Sequence, residues 1–379
     1  MPDTSRLPRL ALALPLSAFA ALAGCGDPAP TTAPDAGAMT TPDAGLVDEI
    51  AWHVEADYPT PVVFASASVL PVGDRRYLYV VGGQAGTYGA PTDPVPDVRR
   101  AEILPDHTLG AWEDAGRLST GMRPIPLAGH HAIQLHFDDG SEGVAVAGGG
   151  TGASDLPLVL TCPVDPSSGA LSGWGRFDPM LTEGAWFATF EPFDPHMLAL
   201  IGGTLSGTPT ARVVVAPVLN GAMSATFIDG PPLPSPRFGH ASAMIGGEVY
   251  VIGGANDDGV LNEVVRTTRD ATMHVEGWLD AGSTGSGLVF AGAAVAESSL
   301  YVLGGLVGGV DDGTATARVL TSTLRADGSL GVLRPVDGGA LPAPVAAPIV
   351  ATDAGHVYVV GGYGADGQAT ARVLSSRLP

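Results

Sequence analysis

From residue 49 onward the apolar positions fall into short runs separated by breaks rich in glycine, proline and acids. Six runs share one form, an apolar strand closed by two glycines. They are YLYVVGG (Tyr77 to Gly83), GVAVAGG (Gly143 to Gly149), MLALIGG (Met197 to Gly203), VYVIGG (Val249 to Gly254), LYVLGG (Leu300 to Gly305) and VYVVGG (Val357 to Gly362). Their apolar positions are continuous rather than alternating, the pattern of strands buried on both faces. In the clearest copy Ala241 to Ile245 reads as one strand and Gly246-Gly247 as a two-residue hairpin turn. Glu248 to Gly254 is the second strand, Asn256 to Gly259 a polar loop, Asn262 to Arg269 the third strand, and Glu276-Gly277-Trp278 opens a fourth. The first glycines stand at 82, 148, 202, 253, 304 and 361, spaced by 66, 54, 51, 51 and 57 residues. Four strands per period of about 50 residues predict an all-β, six-bladed propeller.

Other positions recur in step. The third strand repeats Ala-Arg-Val at 211–213, 317–319 and 371–373. The fourth repeats an aliphatic residue with an aromatic three positions on, as Leu109 with Trp112, Leu171 with Trp174, and Val275 with Trp278. Leu330 with Leu333 and Phe227 stand in for it in the fifth and third copies. The glycines are expected to let a strand end approach the next blade, and the aromatics to fill the wedge between blades. The sixth copy ends at Pro379 without a fourth strand, and Glu49 to Glu55, with Trp52, looks like the missing one. Pairing it with the last blade would close the ring and leave no exposed edge.

This combination resembles the kelch repeat, six times over residues 49–379. It departs from that pattern in lacking the tyrosine of the third strand and, in blades 3 and 5, the tryptophan. The likeness is to exported bacterial kelch-like proteins rather than to animal substrate adaptors. It implies a scaffold whose loops carry the activity, so the fold alone names no ligand.

The N-terminus changes the picture. Residues 1–24 read as an export signal: Arg6 and Arg9 precede a short apolar run, Leu10 to Leu22, too short to span a bilayer. Leu22-Ala23-Gly24-Cys25 is similar to a bacterial lipobox, which would make Cys25 the lipidated N-terminus. An ordinary cleaved signal with an incidental cysteine is the alternative. Asp is not directly after the cysteine, which points to the outer membrane. Residues 25–48 are a Pro/Ala/Thr/Asp linker with too little apolar surface to fold, expected to hold the domain off the membrane. With residues 1–24 removed, 16 arginines face 38 acids, a net charge of −22, and the chain has no lysine. Such a surface disfavours nucleic acid and anionic lipid and leaves protein, glycan or cation partners. Of the two cysteines, Cys162 lies in a strand-like run and reads as a buried structural thiol.

Candidate chemistry is sparse. In kelch-like propellers the loops between second and third strands share a face with the loops joining successive blades. On that face Arg123, His130, Arg237 and His240 are read as a repeated Arg…Gly-His entry with an adjacent proline (Pro236-Arg237, Arg123-Pro124), whose simplest role is hydrogen bonding at the blade entry. Tyr88, Trp186 and Tyr363 are candidates for stacking on a sugar or peptide, and the longest loop, 84–97, carries Tyr88. The acid pairs Asp257-Asp258 and Asp311-Asp312 precede glycine as in common turns, without calcium-loop spacing. No catalytic residue, metal site or cofactor motif is assigned. The expected function is a membrane-tethered, extracytoplasmic, monomeric scaffold binding protein or glycan without catalysis. The alternatives are a carbohydrate-active enzyme of sialic-acid mutarotase or epimerase type and a structural component of an envelope complex.

Overall fold

A computed structural model describes residues 49–379 apart from 122, 138, 153, 177–183, 195–196, 220–221, 224–226 and 272–273. The export signal, Cys25 and the linker lie outside the described residues. The fold is all-β, with six antiparallel sheets in a ring. Blade 1 comprises Ser66–Val72, Arg75–Val81, Asp97–Ile103 and Glu113–Arg117. Blade 2 comprises Ala128–His136, Glu142–Gly150, Val159–Pro163 and Gly175–Arg176. Blade 3 uses Thr189–Asp194, Met197–Ile201, Val213–Leu219 and Ile228–Asp229; blade 4 uses Ala241–Ile245, Glu248–Ile252, Glu263–Arg269 and Val275–Ser283. Blade 5 has Gly292–Ala296, Ser299–Leu303, Val319–Thr323 and Arg334–Pro335. In blade 6, Ile349–Asp353, His356–Val360 and Val373–Arg377 are joined by His53–Val54 from the N-terminal side. That last strand pairs antiparallel, His53 opposite Ser375 and Val54 opposite Leu374. Glu55 N–H donates to the Val373 carbonyl at 3.0 Å, and Ser376 Oγ donates to the Ala51 carbonyl at 2.9 Å.

The first strands of successive sheets touch one another around the ring, blade 6 meeting blade 1. The core is accordingly six wedges between neighbouring sheets rather than one mass. Trp174 is buried in the wedge between blades 1 and 2. Trp278 lies against that between blades 3 and 4, Trp112 against that between 6 and 1, and Trp52 against that between 5 and 6. Phe227, Leu330 and Leu333 fill the corresponding places in wedges that lack a tryptophan. Burying one such side chain contributes about 1.5–3 kcal/mol.

The double glycines are the clasp between blades. Each first glycine has φ between +59° and +70°, and a Cβ there would lie 2.1–2.8 Å from a backbone carbonyl oxygen at the entry of the next blade. Each second glycine donates its N–H to that same oxygen. Gly83 bonds Leu127, Gly149 bonds Ala185, Gly203 bonds Arg237, Gly254 bonds Leu288, Gly305 bonds Val345 and Gly362 bonds Val62, all at 2.7–2.8 Å. The last of these joins blade 6 to blade 1. Four buried tyrosines of the second strands add an outer clasp, since each hydroxyl donates to a backbone carbonyl in the following blade. Tyr79 reaches Gly169, Tyr250 reaches Gly328, Tyr301 reaches Pro379 and Tyr358 reaches His107.

Candidate functional site

The axis of the ring is built from one position repeated six times. Phe64, Gly129, Phe187, Gly239, Phe290 and Ala347 begin the six inner strands in turn, and all have φ between +51° and +65°. Each N–H from Gly129 onward donates to the carbonyl of the preceding member at 2.7–3.0 Å, so a chain of five backbone hydrogen bonds runs around the axis from Phe64 to Ala347. Large and small residues alternate around it. The three phenylalanine rings meet edge to face, with centroids 4.8–5.3 Å apart, and close the channel like a cap. The alternation is steric, because a Cβ on Gly239 would come within 2.6 Å of the Phe290 ring and one on Gly129 within 2.0 Å of the Trp186 indole.

Beneath the cap lies a cavity of about 170 Å³. The inner strands run on past it to exposed Gln134, Met244 and Thr352, so the open end faces the hairpins that join first and second strands. Its walls differ. Blades 5, 6 and 1 present mostly small or apolar groups, among them Ala65, Ala67, Ala291, Ala293 and Val350, with Ser66 donating to the His130 carbonyl at 2.7 Å. Blades 2 to 4 present His131, Thr189 and Ser242. His131 Nδ1 accepts the Phe190 N–H at 2.7 Å, which leaves the ring proton on Nε2. Burial pushes the His131 imidazolium down to about 4, so the ring is neutral at ordinary pH. Ser242 Oγ donates to Glu191 Oε1 at 2.6 Å, and burial pushes the Glu191 carboxyl up to about 7 against the opposing effect of that bond.

Of the residues singled out in the sequence, His130 and His240 line this cavity, whereas Arg123, Arg237, Tyr88, Trp186 and Tyr363 do not. His130 and His240 are equivalent in the fold. Both are about 95% buried beside the first glycines of the preceding blades, and both line the cavity. His240 Nε2 shares a hydrogen bond of 3.0 Å with Thr189 Oγ1, whereas neither nitrogen of His130 makes a well-formed hydrogen bond among the described residues. Burial above all, helped by neighbouring His131, pushes His130 down to about 3; burial, then Arg237 and His131, does the same for His240. The two arginines are not equivalent. Arg237 stands two residues before Gly239, where blade 2 has Leu127, while Arg123 is exposed on a separate hairpin, Ser119–Thr120 with Arg123–Pro124. Arg237 is fully buried and binds the Gly253 carbonyl at 3.1 Å, Ser235 Oγ at 2.7 Å and Glu263 Oε2 at 2.8 Å.

The three ring-bearing candidates lie over the cap. Tyr363 is buried among the cap residues, edge-on to both Phe64 and Tyr88. Tyr88 is half-buried and donates to the Val310 carbonyl at 2.6 Å. The long loop that carries Tyr88 is laid over blade 6: Tyr88 N–H donates to the Gly367 carbonyl at 2.7 Å and Ala369 N–H to that of Gly86 at 2.9 Å. Trp186 is half-buried and stacks on Phe187 at 5.0 Å. With Phe238 they form an aromatic platform at the axis on the loop face, none of the three half-buried rings lining the cavity beneath. The Phe–Gly alternation and His131 escaped the sequence reading; aligning the six blade entries on the double glycines is the signal that finds them.

Asp258 N–H donates to Asn256 Oδ1, an ordinary turn, and no group of three or more His, Cys, Asp or Glu able to hold a metal occurs among the described residues. Cys162 is buried and its thiol is pushed up to about 12 by that burial. No protein-family model matches this chain, and no curated protein matches it either.

Proposed function

We propose that this chain is a kelch-like propeller that acts as a binding scaffold outside the cytoplasm, anchored through a lipid on Cys25. It takes a protein or glycan ligand on the loop face. The observation that carries this reading is the aromatic platform of Tyr88, Trp186 and Phe238, half-buried at the axis on that face. Half-buried aromatics held rigid from below offer contact area at low entropic cost, and they suit a peptide side chain or a sugar face. The arginine and histidine set that a mutarotase-type pocket would use does not gather there: Arg237 is committed to Gly253, Ser235 and Glu263, and Arg123 points from another hairpin. The kelch likeness rests on the double-glycine clasp and the wedge tryptophans, and N-terminal closure of blade 6 on the pairing of His53–Val54.

The test is a glycan array together with capture from envelope extract, using wild type and Trp186→Ala. The proposal expects a retained ligand whose capture falls at least tenfold in the variant. Silence in both assays contradicts it.

A further inference from the structure

We propose that the axial cavity is a second binding site, separate from the loop face, for a small neutral aromatic molecule with a hydrogen-bond acceptor on one edge. The inference goes beyond the scaffold reading and does not depend on it.

Size sets the first limit. A space of about 170 Å³ matches cavities that take up one benzene-sized ring, and it excludes a peptide or an oligosaccharide. The floor is the triad of Phe64, Phe187 and Phe290, whose faces and edges suit a further ring. The opposite wall, with Ala67 and Ala293, holds one polar side chain, Ser66, whose hydroxyl is already donated to the His130 carbonyl at 2.7 Å. A monosaccharide bound there would leave several hydroxyls against alkyl groups, each a buried unsatisfied polar group.

Polarity sets the second limit. The Phe190 N–H fixes the His131 tautomer, so Nε2–H faces the cavity as a donor without a protein acceptor among the described residues. The Glu191 carboxyl is tied to Ser242 by one oxygen only. Burial pushes that carboxyl up to about 7, and it is not itself among the lining residues, so the polar wall offers the His131 Nε2–H as its free donor. No arginine lines the cavity, and an anionic ligand would have no countercharge. A carbonyl or ring nitrogen on the rim of a planar molecule meets the donor, while the rest of the ring lies on phenylalanine and alanine.

Benzamide is the direct probe and glucose the control, each added to the full chain and followed by saturation-transfer NMR and titration. The expected result is one benzamide per chain, with a dissociation constant of about millimolar or tighter for so few atoms. Ala293→Phe and Ala67→Phe, which fill the cavity from two different blades, should each weaken it at least tenfold while unfolding cooperatively. His131→Phe should weaken it to a similar extent without filling the cavity's apolar side. No benzamide binding, binding unchanged in both filled variants, or a response to glucose in place of benzamide would overturn the assignment. Loss of loop-face capture in Trp186→Ala with benzamide binding intact would separate the two sites.

Discussion

At the scale of single residues the double glycines are the most constrained positions. Replacing Gly253 with Ala would place a Cβ 2.2 Å from the Leu288 carbonyl oxygen at φ +59°. The expected loss of stability is roughly 2–4 kcal/mol by chemical denaturation, from left-handed strain plus displacement of the clasp. Gly247→Ala is the control: it also has positive φ but nothing within 4 Å, and it should cost only about 1 kcal/mol. Buried titratable groups make a second residue-scale prediction. His130 and His240 are depressed from 6.5 to about 3, so the stability they support is present above pH 6.5 and lost as pH falls toward 3. Each contributes a slope of about 1.4 kcal/mol per pH unit in that window. Glu191 is raised from 4.5 to about 7, so its stabilisation is full below pH 4.5 and lost as pH rises through 7. Between pH 4.5 and 6.5 it offsets one histidine, leaving a net fall of about 1.4 kcal/mol per unit of acidification from these three groups. Glu191→Gln should therefore raise Tm relative to wild type more at pH 8 than at pH 5; an equal change at both values would remove Glu191 from the account. Much at this scale was legible, because six copies of one motif expose what they share. The arginine pairing was not. Letters alone align Arg123 with Arg237, but the hairpin Ser119–Pro124 shifts the register, and only the left-handed position at Gly129 and Gly239 restores it.

Among the elements, the strand His53–Val54 and the tyrosine clasps join the two ends of the chain. Val62 and Gly362, Tyr358 and His107, and the Glu55 carboxylate with Ser375 and the Leu109 N–H all cross between blade 6, its N-terminal strand and blade 1. Deleting residues 49–57 removes the edge strand together with the Glu55 contacts. It should replace the cooperative melting transition by a broad one, and an unchanged melting curve would show that the strand does not secure the ring. The sequence carried this element clearly, since an orphan tryptophan-bearing segment at one end answered a missing strand at the other. The cap was invisible for a physical reason. Phe64, Phe187 and Phe290 recur only in alternate blades, and the glycines between them combine a positive φ with space taken by neighbouring rings, Trp186 and Phe187 at Gly129 and Phe290 at Gly239. Hydrophobic periodicity within a blade has no means of reporting a pattern that runs around the axis.

For the whole molecule, charge, anchor and platform decide what is met. A net charge of −21 over the full chain disfavours binding to anionic lipid, so the proposed membrane attachment rests on a lipid at Cys25 rather than on the domain. Cys25→Ala should release the protein into the soluble fraction, and continued pelleting with membranes would reject the anchor. The loops were read as the place where function lies, and the long loop 84–97 is laid across blade 6 and carries Tyr88 over the cap. The measurement closest to the central claim is capture from envelope extract by the folded chain and two single variants on opposite faces. Tyr88→Ala alters the aromatic platform, and Met244→Arg alters an exposed position at the far end of the inner strands. The account predicts that Tyr88→Ala lowers capture of the ligand at least tenfold while Met244→Arg leaves it unchanged; capture that is lost in Met244→Arg and retained in Tyr88→Ala would contradict it.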